Sequence, residues 1–205
     1  MDYTQLATEE QLDKTVAGLK ERGFEPVVVA TKEEAMAKIK ELIPAGASVM
    51  NGSSTTLNQL GFVDYLKAGE HGWNNLHAAI VAEKDPAQQG VLRRAALTSE
   101  FYLGSVHGLT ESGEMLIASN SGSQLPHVVY SSPNVIFVVG TQKITSTLVD
   151  AEARLQSYVI PLEDARMKSV GMGGTKLNKL FHYFGEPSYT GRKIHVILVK
   201  EALGF

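Results

Sequence analysis

The sequence contains no cysteine among its 205 residues. This absence excludes disulfide bonds, thiolate zinc sites, cysteine-held iron–sulfur clusters and a cysteine nucleophile in the chain. The histidines are also poorly arranged for a metal, since no two of them have the four-residue spacing of a zinc-binding helix. We therefore predict that the chain holds no metal and no cofactor of its own.

Excess positive charge and long apolar runs are lacking as well. The formal net charge is -3, so the chain has no general attraction for a nucleic acid backbone. The longest apolar run, "VIFVV", is far too short to span a bilayer, and the acidic, amphipathic N-terminus is unlike a signal peptide. With 43% hydrophobic residues, the sequence predicts one soluble cytoplasmic domain over residues 1–205, without nucleic acid or membrane partners.

Helical and strand patterns alternate along the chain. Helices are predicted within residues 1–25, at 31–43 and from Asp85 onward, with Thr31 and Asp85 as N-caps. The strand-like segments are "EPVVVA", "ASVMNG", "MLIAS", "HVVYS", "NVIFVVG" and "KIHVILVK". This alternation predicts a three-layer α/β fold with a largely parallel sheet and flanking helices. Residues 163–192 lack a regular pattern, and we predict that they form a mobile flap or a partner-dependent arm.

A turn from a strand into a helix provides the first candidate site. Gly52 allows close approach of a ligand, and the following residues lead into a helix whose free N–H groups suit an anion. These following residues are Ser53, Ser54 and Thr55. The glycine spacing matches neither a Walker loop nor a dinucleotide-binding fingerprint. The alternative is an ordinary Ser or Thr N-cap after a strand.

The stretch "GLTESGEMLIASNSGSQLPH", residues 108–127, provides the second candidate site. Glu111 precedes a strand, and a carboxylate near a strand end can serve as a base, a nucleophile or a ligand acceptor. The small residues downstream offer open backbone amides to a phosphate or carboxylate, and His127 can add a side-chain contact. The downstream residues are Ser119, Asn120, Ser121, Gly122 and Ser123. The alternatives are an inert hairpin turn at Glu111 and a loop selected for turn geometry alone.

Two weaker candidates complete the set. Lys143 follows a predicted strand, where it either neutralises an anionic ligand or lies in solvent at the start of a loop. His107, Glu111 and His127 flank the same stretch, and a metal ion shared by the three stays an alternative to the metal-free prediction.

Three segments of the sequence together resemble the LUD domain, the lactate-utilisation family that includes LutC-type proteins. They are "GSSTTLNQLGF", "FYLGSVHGLTESGEMLIASNSGSQLPHVVYSSPNVIFVVGTQKITSTLVDAEARL" and "GRKIHVILVKEALGF". The resemblance runs from about Lys14 to Phe205. It implies a fold similar to that of the sugar-phosphate isomerases and CoA-transferases. It also implies that the two candidate segments form two walls of one pocket.

The resemblance further implies a role beside other subunits. LutC-type proteins act with two partners in oxidising lactate to pyruvate, and a chain without cysteine must leave electron transfer to iron–sulfur partner proteins. The implied function is an accessory component of lactate utilisation that binds a small anionic metabolite. The alternative is an enzyme acting on a phosphorylated or CoA-linked small molecule, with Glu111 as base or nucleophile. The sequence leaves self-association into a homo-oligomer open.

Overall fold

A six-stranded sheet forms the centre of the computed structural model, which describes residues 2–205. From one edge to the other its strands are β1 (Glu25–Val29), β10 (Lys193–Val199), β7 (Asn134–Gly140), β4 (Phe101–Gly104), β2 (Ser48–Asn51) and β3 (Asn74–Asn75). Every neighbouring pair is parallel, so the carboxyl ends of the strands lie at one edge of the sheet. The predicted α/β fold with a largely parallel sheet is confirmed.

A smaller, four-stranded sheet lies beside the central one. Its strands in spatial order are β8 (Ile144–Thr145), β5 (Gly108–Thr110), β6 (Met115–Ser119) and β9 (Lys179–Tyr183). Strand β5 pairs with β8 in parallel and with β6 antiparallel, and β6 pairs antiparallel with β9. Residues 105–107 connect the end of β4 to the start of β5, and this short connection joins the two sheets.

The helices begin where the sequence provides capping residues. They are α1 (Glu9–Glu21), α2 (Lys32–Leu42), α3 (Thr55–Gln59), α4 (Phe62–Ala68), α5 (Leu76–Ala82), α6 (Pro86–Ala95), α7 (Leu148–Arg154) and α8 (Ile160–Ser169). Thr8, Thr31 and Asp85 each accept a hydrogen bond from a backbone N–H in the first turn of α1, α2 and α6. The predicted N-caps Thr31 and Asp85 are therefore confirmed. None of the helices in residues 2–205 is both long and apolar enough to cross a membrane.

Alternate side chains of β7 pack on opposite faces of the central sheet, as the two-residue period of a strand requires. Val135, Phe137 and Val139 belong to a hydrophobic cluster that includes residues of α1 and of the smaller sheet. Ile136 and Val138 belong to a second cluster, formed with residues of α2, α3 and α4. The molecule therefore has three layers, with the central sheet between helices on one face and the smaller sheet with α1 on the other.

Residues 127–131, predicted as the strand "HVVYS", instead form one turn of π-helix, so that prediction is wrong. The guanidinium group of Arg192 donates to the carbonyl oxygens of His127 at 3.1 Å, Val128 at 2.7 Å and Val129 at 3.0 Å. Successive carbonyls point the same way in a helical turn and opposite ways in a strand. A single side chain can bind all three only in the helical conformation, and Arg192 stabilises it.

Other boundaries also differ from the sequence-based expectation. The helix predicted within residues 1–25 starts at Glu9 and is followed by β1, and the helix predicted from Asp85 onward ends at Ala95. Residues 163–192, predicted to be irregular, contain most of α8, the whole of β9 and a 3-10 turn. Strand β9 depends on its pairing with β6, which is 60 residues away and is not visible in its own local pattern.

The first prediction concerns the contact between α1 and the β5–β6 turn. A Cβ atom on Gly18 would lie 2.5 Å from the carbonyl carbon and oxygen of Ser112, which are backbone atoms that cannot yield easily. We expect Gly18→Ala to destabilise the protein by about 1–3 kcal/mol, despite the better helix propensity of alanine.

Gly90→Ala is the matched control, because a Cβ atom there would meet only the end of the Arg94 side chain, at 3.5 Å. This variant should stabilise the protein by up to about 1 kcal/mol. Urea unfolding measures both changes, and a stabilising effect of Gly18→Ala would contradict the close contact.

Candidate functional site

The loops at the carboxyl edge of the central sheet meet around the side chain of Lys143. Lys143 follows β7, and its ammonium group donates to Thr56 Oγ1, in the helix after β2, at 3.0 Å. It also donates to Ser105 Oγ at 3.1 Å and to the carbonyl oxygen of Val106 at 3.2 Å, both after β4. Ligand crevices in open α/β sheets lie at this edge. The surroundings of Lys143 are therefore the candidate site.

Lys143 carries a buried positive charge. The residue is only 3% exposed. Burial and, to a smaller extent, the charge of Arg154 lower the pKa of Lys143 from 10.5 to about 7. All three acceptors of its hydrogen bonds are neutral oxygens, and no carboxylate of residues 2–205 forms an ion pair with it. Near neutral pH the site therefore contains both ammonium and amine forms, without an internal counter-charge.

The segment after β10 covers Lys143. The carbonyl oxygen of Leu203 accepts hydrogen bonds from Gln142 Nε2 at 2.9 Å and from Thr56 Oγ1 at 3.4 Å. Gly204 has a φ of 72°, and a Cβ atom at this position would lie 3.0 Å from the Lys143 ammonium nitrogen. Only glycine fits this turn without strain, so the segment can approach the lysine directly.

A second wall of the site forms where β2 ends. A Cβ atom on Gly52 would lie 2.6 Å from the Tyr102 hydroxyl oxygen and 3.9 Å from the Cβ atom of Gln124. The structure thus brings the first candidate turn beside Gln124, which lies within the second candidate stretch. Asn51, the last residue of β2, is buried, and its Oδ1 atom has no hydrogen-bond partner. A buried acceptor without a partner is uncommon and can receive a donor from a ligand.

The hydroxyl residues after Gly52 have different contacts. Ser53 Oγ accepts a long hydrogen bond, 3.4 Å, from Arg166 Nη2 of α8. Ser54 Oγ accepts from the N–H of Leu57 at 3.3 Å and therefore caps α3, as the alternative interpretation of this turn expects. Thr55 is the first residue of α3.

The loop 119–123 is largely bonded to itself. Ser119 Oγ accepts from the N–H of Gly122 at 2.8 Å and donates to Gln124 Oε1 at 2.8 Å. Ser121 Oγ accepts from the backbone N–H of Ser123 at 3.3 Å and donates to its hydroxyl at 3.1 Å. This geometry favours the interpretation of the loop as a compact turn that positions Gln124.

The remaining polar residue of the loop, Asn120, points to the segment before β9. Its Oδ1 atom accepts a hydrogen bond from Asn178 Nδ2 at 2.6 Å. Gly122 adopts a φ of 89°, and a Cβ atom at that position would lie 2.8 Å from the Lys179 side chain. The loop is thus braced by residues 178–179, within the part of the chain predicted to be irregular.

His127 lies inside a buried hydroxyl network. Its Nδ1 atom lies 3.3 Å from Ser99 Oγ and 3.0 Å from Ser132 Oγ, and its ring stacks on Tyr102 with centroids 4.7 Å apart. Burial lowers the pKa of His127 from 6.5 to about 4, so the imidazole is neutral at physiological pH. His127 therefore supports Tyr102 behind the wall at Gly52.

Glu111 lies in the turn between β5 and β6, and its carboxylate contacts residues other than Lys143. Its Oε1 atom accepts from Gln11 Nε2 at 3.1 Å and from Ser146 Oγ at 3.1 Å. Lys14 Nζ lies 3.8 Å from the other carboxylate oxygen. These contacts attach the turn to α1 and to the end of β8. The geometry favours the interpretation of Glu111 as a hairpin residue.

The residues considered for a shared metal do not come together. Within residues 2–205, no group of three or more His, Cys, Asp or Glu side chains is placed to hold a metal ion. His107 instead accepts a hydrogen bond from the backbone N–H of Ala118 at 3.1 Å. Burial lowers the pKa of His107 from 6.5 to about 3, with smaller contributions from the charges of Lys143 and Arg154.

Several residues of the site are not among those predicted from the sequence. Thr56 and Ser105 contact Lys143, and Tyr102 packs against Gly52. Nothing local distinguishes these side chains from ordinary strand and loop residues. Arg154 does have a signal, because it follows Ala151 by three residues and so shares the buried stripe of α7.

Fold and site together define an α/β protein with a buried lysine, without a carboxylate partner in residues 2–205, at the carboxyl edge of a parallel sheet. The model of the LUD-domain family matches residues 12–199, and the chain belongs to this family, which is associated with lactate utilisation. The crystal structure of a DUF162-family protein from Deinococcus radiodurans is similar to it with a TM-score of 0.57. The two sequences are 15% identical, and the alignment covers 95% of this chain and 99% of that one. No curated protein matches the sequence significantly.

The second prediction tests the role of Glu111. Glu111→Gln keeps the size of the side chain and an acceptor for Gln11 and Ser146, while it removes the charge near Lys14. We expect the free energy of unfolding to fall by under about 1 kcal/mol, because the ion pair with Lys14 is long and partly exposed. Affinity for anions should not change. A clear loss of anion affinity, with thermal stability preserved, would restore Glu111 as a ligand-binding residue.

Proposed function

We propose that the protein binds a small anionic metabolite at the site around the buried Lys143 and acts as an accessory component of lactate utilisation. One observation carries the proposal: Lys143 is buried, positively charged in part at neutral pH, and has no carboxylate partner within residues 2–205. An anionic ligand would supply the missing counter-charge.

The energetics support a ligand role for this lysine. Burial of an ammonium group disfavours folding unless a partner compensates the lost hydration. Neutral hydroxyl and carbonyl oxygens compensate part of the lost hydration. The lowered pKa of Lys143 reflects the part that they do not compensate. Strongly shifted pKa values in clefts are characteristic of functional sites. Gly204 brings backbone close to the Lys143 ammonium group, which is consistent with a small ligand at this site.

The accessory role is supported by the family and by composition. The LUD-domain family is associated with lactate utilisation. The chain contains no cysteine, so thiolate-held iron–sulfur clusters would have to belong to partner proteins. In this proposal the protein presents or senses the anionic metabolite, and partner subunits carry out electron transfer.

One observation also supports a second candidate, an enzyme that acts on a phosphorylated or CoA-linked small molecule. The pKa of Lys143, about 7, is suitable for a proton donor or acceptor at neutral pH. In that case the reacting group would be Lys143 rather than Glu111, whose carboxylate is held by Gln11 and Ser146.

The third prediction tests anion binding by Lys143. Lys143→Met removes the positive charge and keeps the length of the side chain. Titration calorimetry with L-lactate, pyruvate and inorganic phosphate should detect binding to the wild-type protein, and a loss of about tenfold or more in the variant. Affinity in the wild type should fall as the pH rises through about 7, because only the ammonium form attracts the anion.

Lys67→Met is the matched control, since the Lys67 side chain is 73% exposed on α4. It should bind these anions as the wild type does. If Lys143→Met does not fold, Lys143→Gln keeps a hydrogen-bond donor while it removes the charge. Unchanged anion affinity in a folded Lys143 variant would contradict the proposed site.

The fourth prediction separates the accessory role from an independent lactate oxidase. The purified protein should not convert L-lactate to pyruvate with an artificial electron acceptor, because electron transfer is assigned to its partners. A lactate dehydrogenase in the same assay provides the positive control. Pyruvate formation by the metal-free protein alone would show that the accessory role is wrong.

A further inference from the structure

Arg154, the last residue of α7, is a fully buried arginine, and two of its three guanidinium nitrogens have no hydrogen-bond partner among residues 2–205. Its Nη1 atom donates to the carbonyl oxygen of His107 at 2.8 Å. Its Nε and Nη2 atoms are buried and have no hydrogen-bond partner. Burial lowers the pKa of Arg154 from 12.5 to about 10, so the guanidinium group still carries its charge at neutral pH.

The unused atoms have a specific geometry. Nε and Nη2 lie on the same edge of the planar guanidinium group, and their N–H bonds on that edge are nearly parallel. This edge matches two oxygen atoms of one carboxylate or phosphate group, which arginine commonly binds through two hydrogen bonds. Buried N–H groups are nearly always paired, and leaving a charged one without a partner is costly.

The surroundings of Arg154 within the described residues stabilise its charge but provide no hydrogen-bond acceptor for Nε or Nη2. Its guanidinium carbon lies 5.4 Å from the ring centroid of Tyr158 and 5.9 Å from that of Tyr3. An aromatic face attracts the cation but accepts no in-plane N–H bond of the kind that a carboxylate does. Among the buried residues of the part of the chain that the structure describes, the acidic one is Glu186, which pairs with Arg192 at 2.9 Å. Arg154 therefore has no internal anion.

Tyr3 covers Arg154 and is weakly held. The Tyr3 hydroxyl accepts a long hydrogen bond, 3.4 Å, from Ser157, and its ring lies 5.4 Å from that of Tyr158. Tyr3 also lines a cavity of about 180 Å³, together with Gln142 and with the carboxylate residues Asp2 and Asp150. Gln142 directly precedes Lys143, and its Oε1 atom is buried without a partner. Tyr3 therefore lies beside both this cavity and the guanidinium group of Arg154.

We propose that Arg154 is a second anion-binding residue, which binds both oxygens of a carboxylate or phosphate group through its Nε–Nη2 edge after displacement of Tyr3. This inference names a further binding residue and the ligand group that it would bind, a carboxylate or phosphate. It rests on the proposed function only because it requires an anionic ligand. The groups that hold the two cations are adjacent, since Lys143 binds the carbonyl oxygen of Val106 and Arg154 binds that of His107. Arg154 can nevertheless be tested without reference to Lys143.

The test follows the Nε–H signal of Arg154 by nuclear magnetic resonance in the ¹⁵N-labelled wild-type protein. The probes are L-lactate, pyruvate and inorganic phosphate, each compared with sodium chloride at equal ionic strength. The signal is assigned as the one that is lost in Arg154→Lys. It should shift downfield, and the shift should reach saturation, as the carboxylate or phosphate that binds is added. The responding probe identifies the chemical group. No movement with any of the three probes would overturn the proposal, and the titration itself uses only the wild-type protein.

Arg154→Lys then tests affinity, because lysine keeps the charge and a donor for His107 but loses the paired edge. Affinity for the responding probe should fall about tenfold or more. Arg22→Lys, at a half-buried arginine paired with Glu114, is the control and should bind as the wild type does. Equal affinity of Arg154→Lys and wild type would show that Arg154 is only structural. Unchanged affinity in Lys143→Met, with the Arg154 signal still responding, would instead contradict the role of Lys143 and leave that of Arg154 standing.

Discussion

Two buried cations hold the short connection between the two sheets, and the rest of the candidate site is arranged around them. Lys143 binds the carbonyl oxygen of Val106, and Arg154 binds that of His107, at the point where the chain leaves the central sheet for the smaller one. Neither cation has a carboxylate partner within residues 2–205. The same contacts therefore fix the junction of the sheets and create a local excess of positive charge.

Two buried cations without carboxylate partners in the described part of the chain make the ligand-free protein less stable. The pKa of Lys143 is about 7 in the folded protein and 10.5 for an ordinary lysine, so the unfolded chain binds more protons between these values. The free energy of unfolding must therefore rise as the pH increases from about 7 to 10.5. Below pH 7 the lysine is charged in both states, and burial of the ammonium group destabilises the folded protein fully. A ligand that brings negative charge would recover this cost on binding. The site thus exchanges stability for affinity, as functional sites commonly do.

The sequence predicts the parts of the fold that depend on local chemistry. The alternation of apolar side chains in β7 and β10 and the N-caps at Thr31 and Asp85 all lead to the correct elements. The segment "HVVYS" fails because Arg192, some sixty residues later, binds the carbonyl oxygens of its turn. Strand β9 is missed for a related reason, since its pairing partner β6 lies far away in the sequence.

The site is harder to predict, because burial of a polar side chain depends on distant segments. Lys143 is among the predicted ligand-binding residues, but its burial requires Thr56, Ser105 and Gly204, which come from three distant segments of the chain. Glu111 attracts attention because of its neighbours in sequence, and yet its carboxylate contacts α1. A polar residue can line a binding site or stabilise a turn, and its role depends on contacts that form only when the sheets assemble.

The pKa of Lys143 provides the most direct test of the central claim. It can be measured by carbon-13 resonance of lysines labelled at Cε, assigned with Lys143→Met, as a function of pH. The account predicts a pKa near 7 without ligand, and a higher value when the anion that binds at this site is present, because the bound negative charge favours the ammonium form. A pKa near 10.5 that no anion changes would show that Lys143 is not the buried, uncompensated cation on which the proposed function depends.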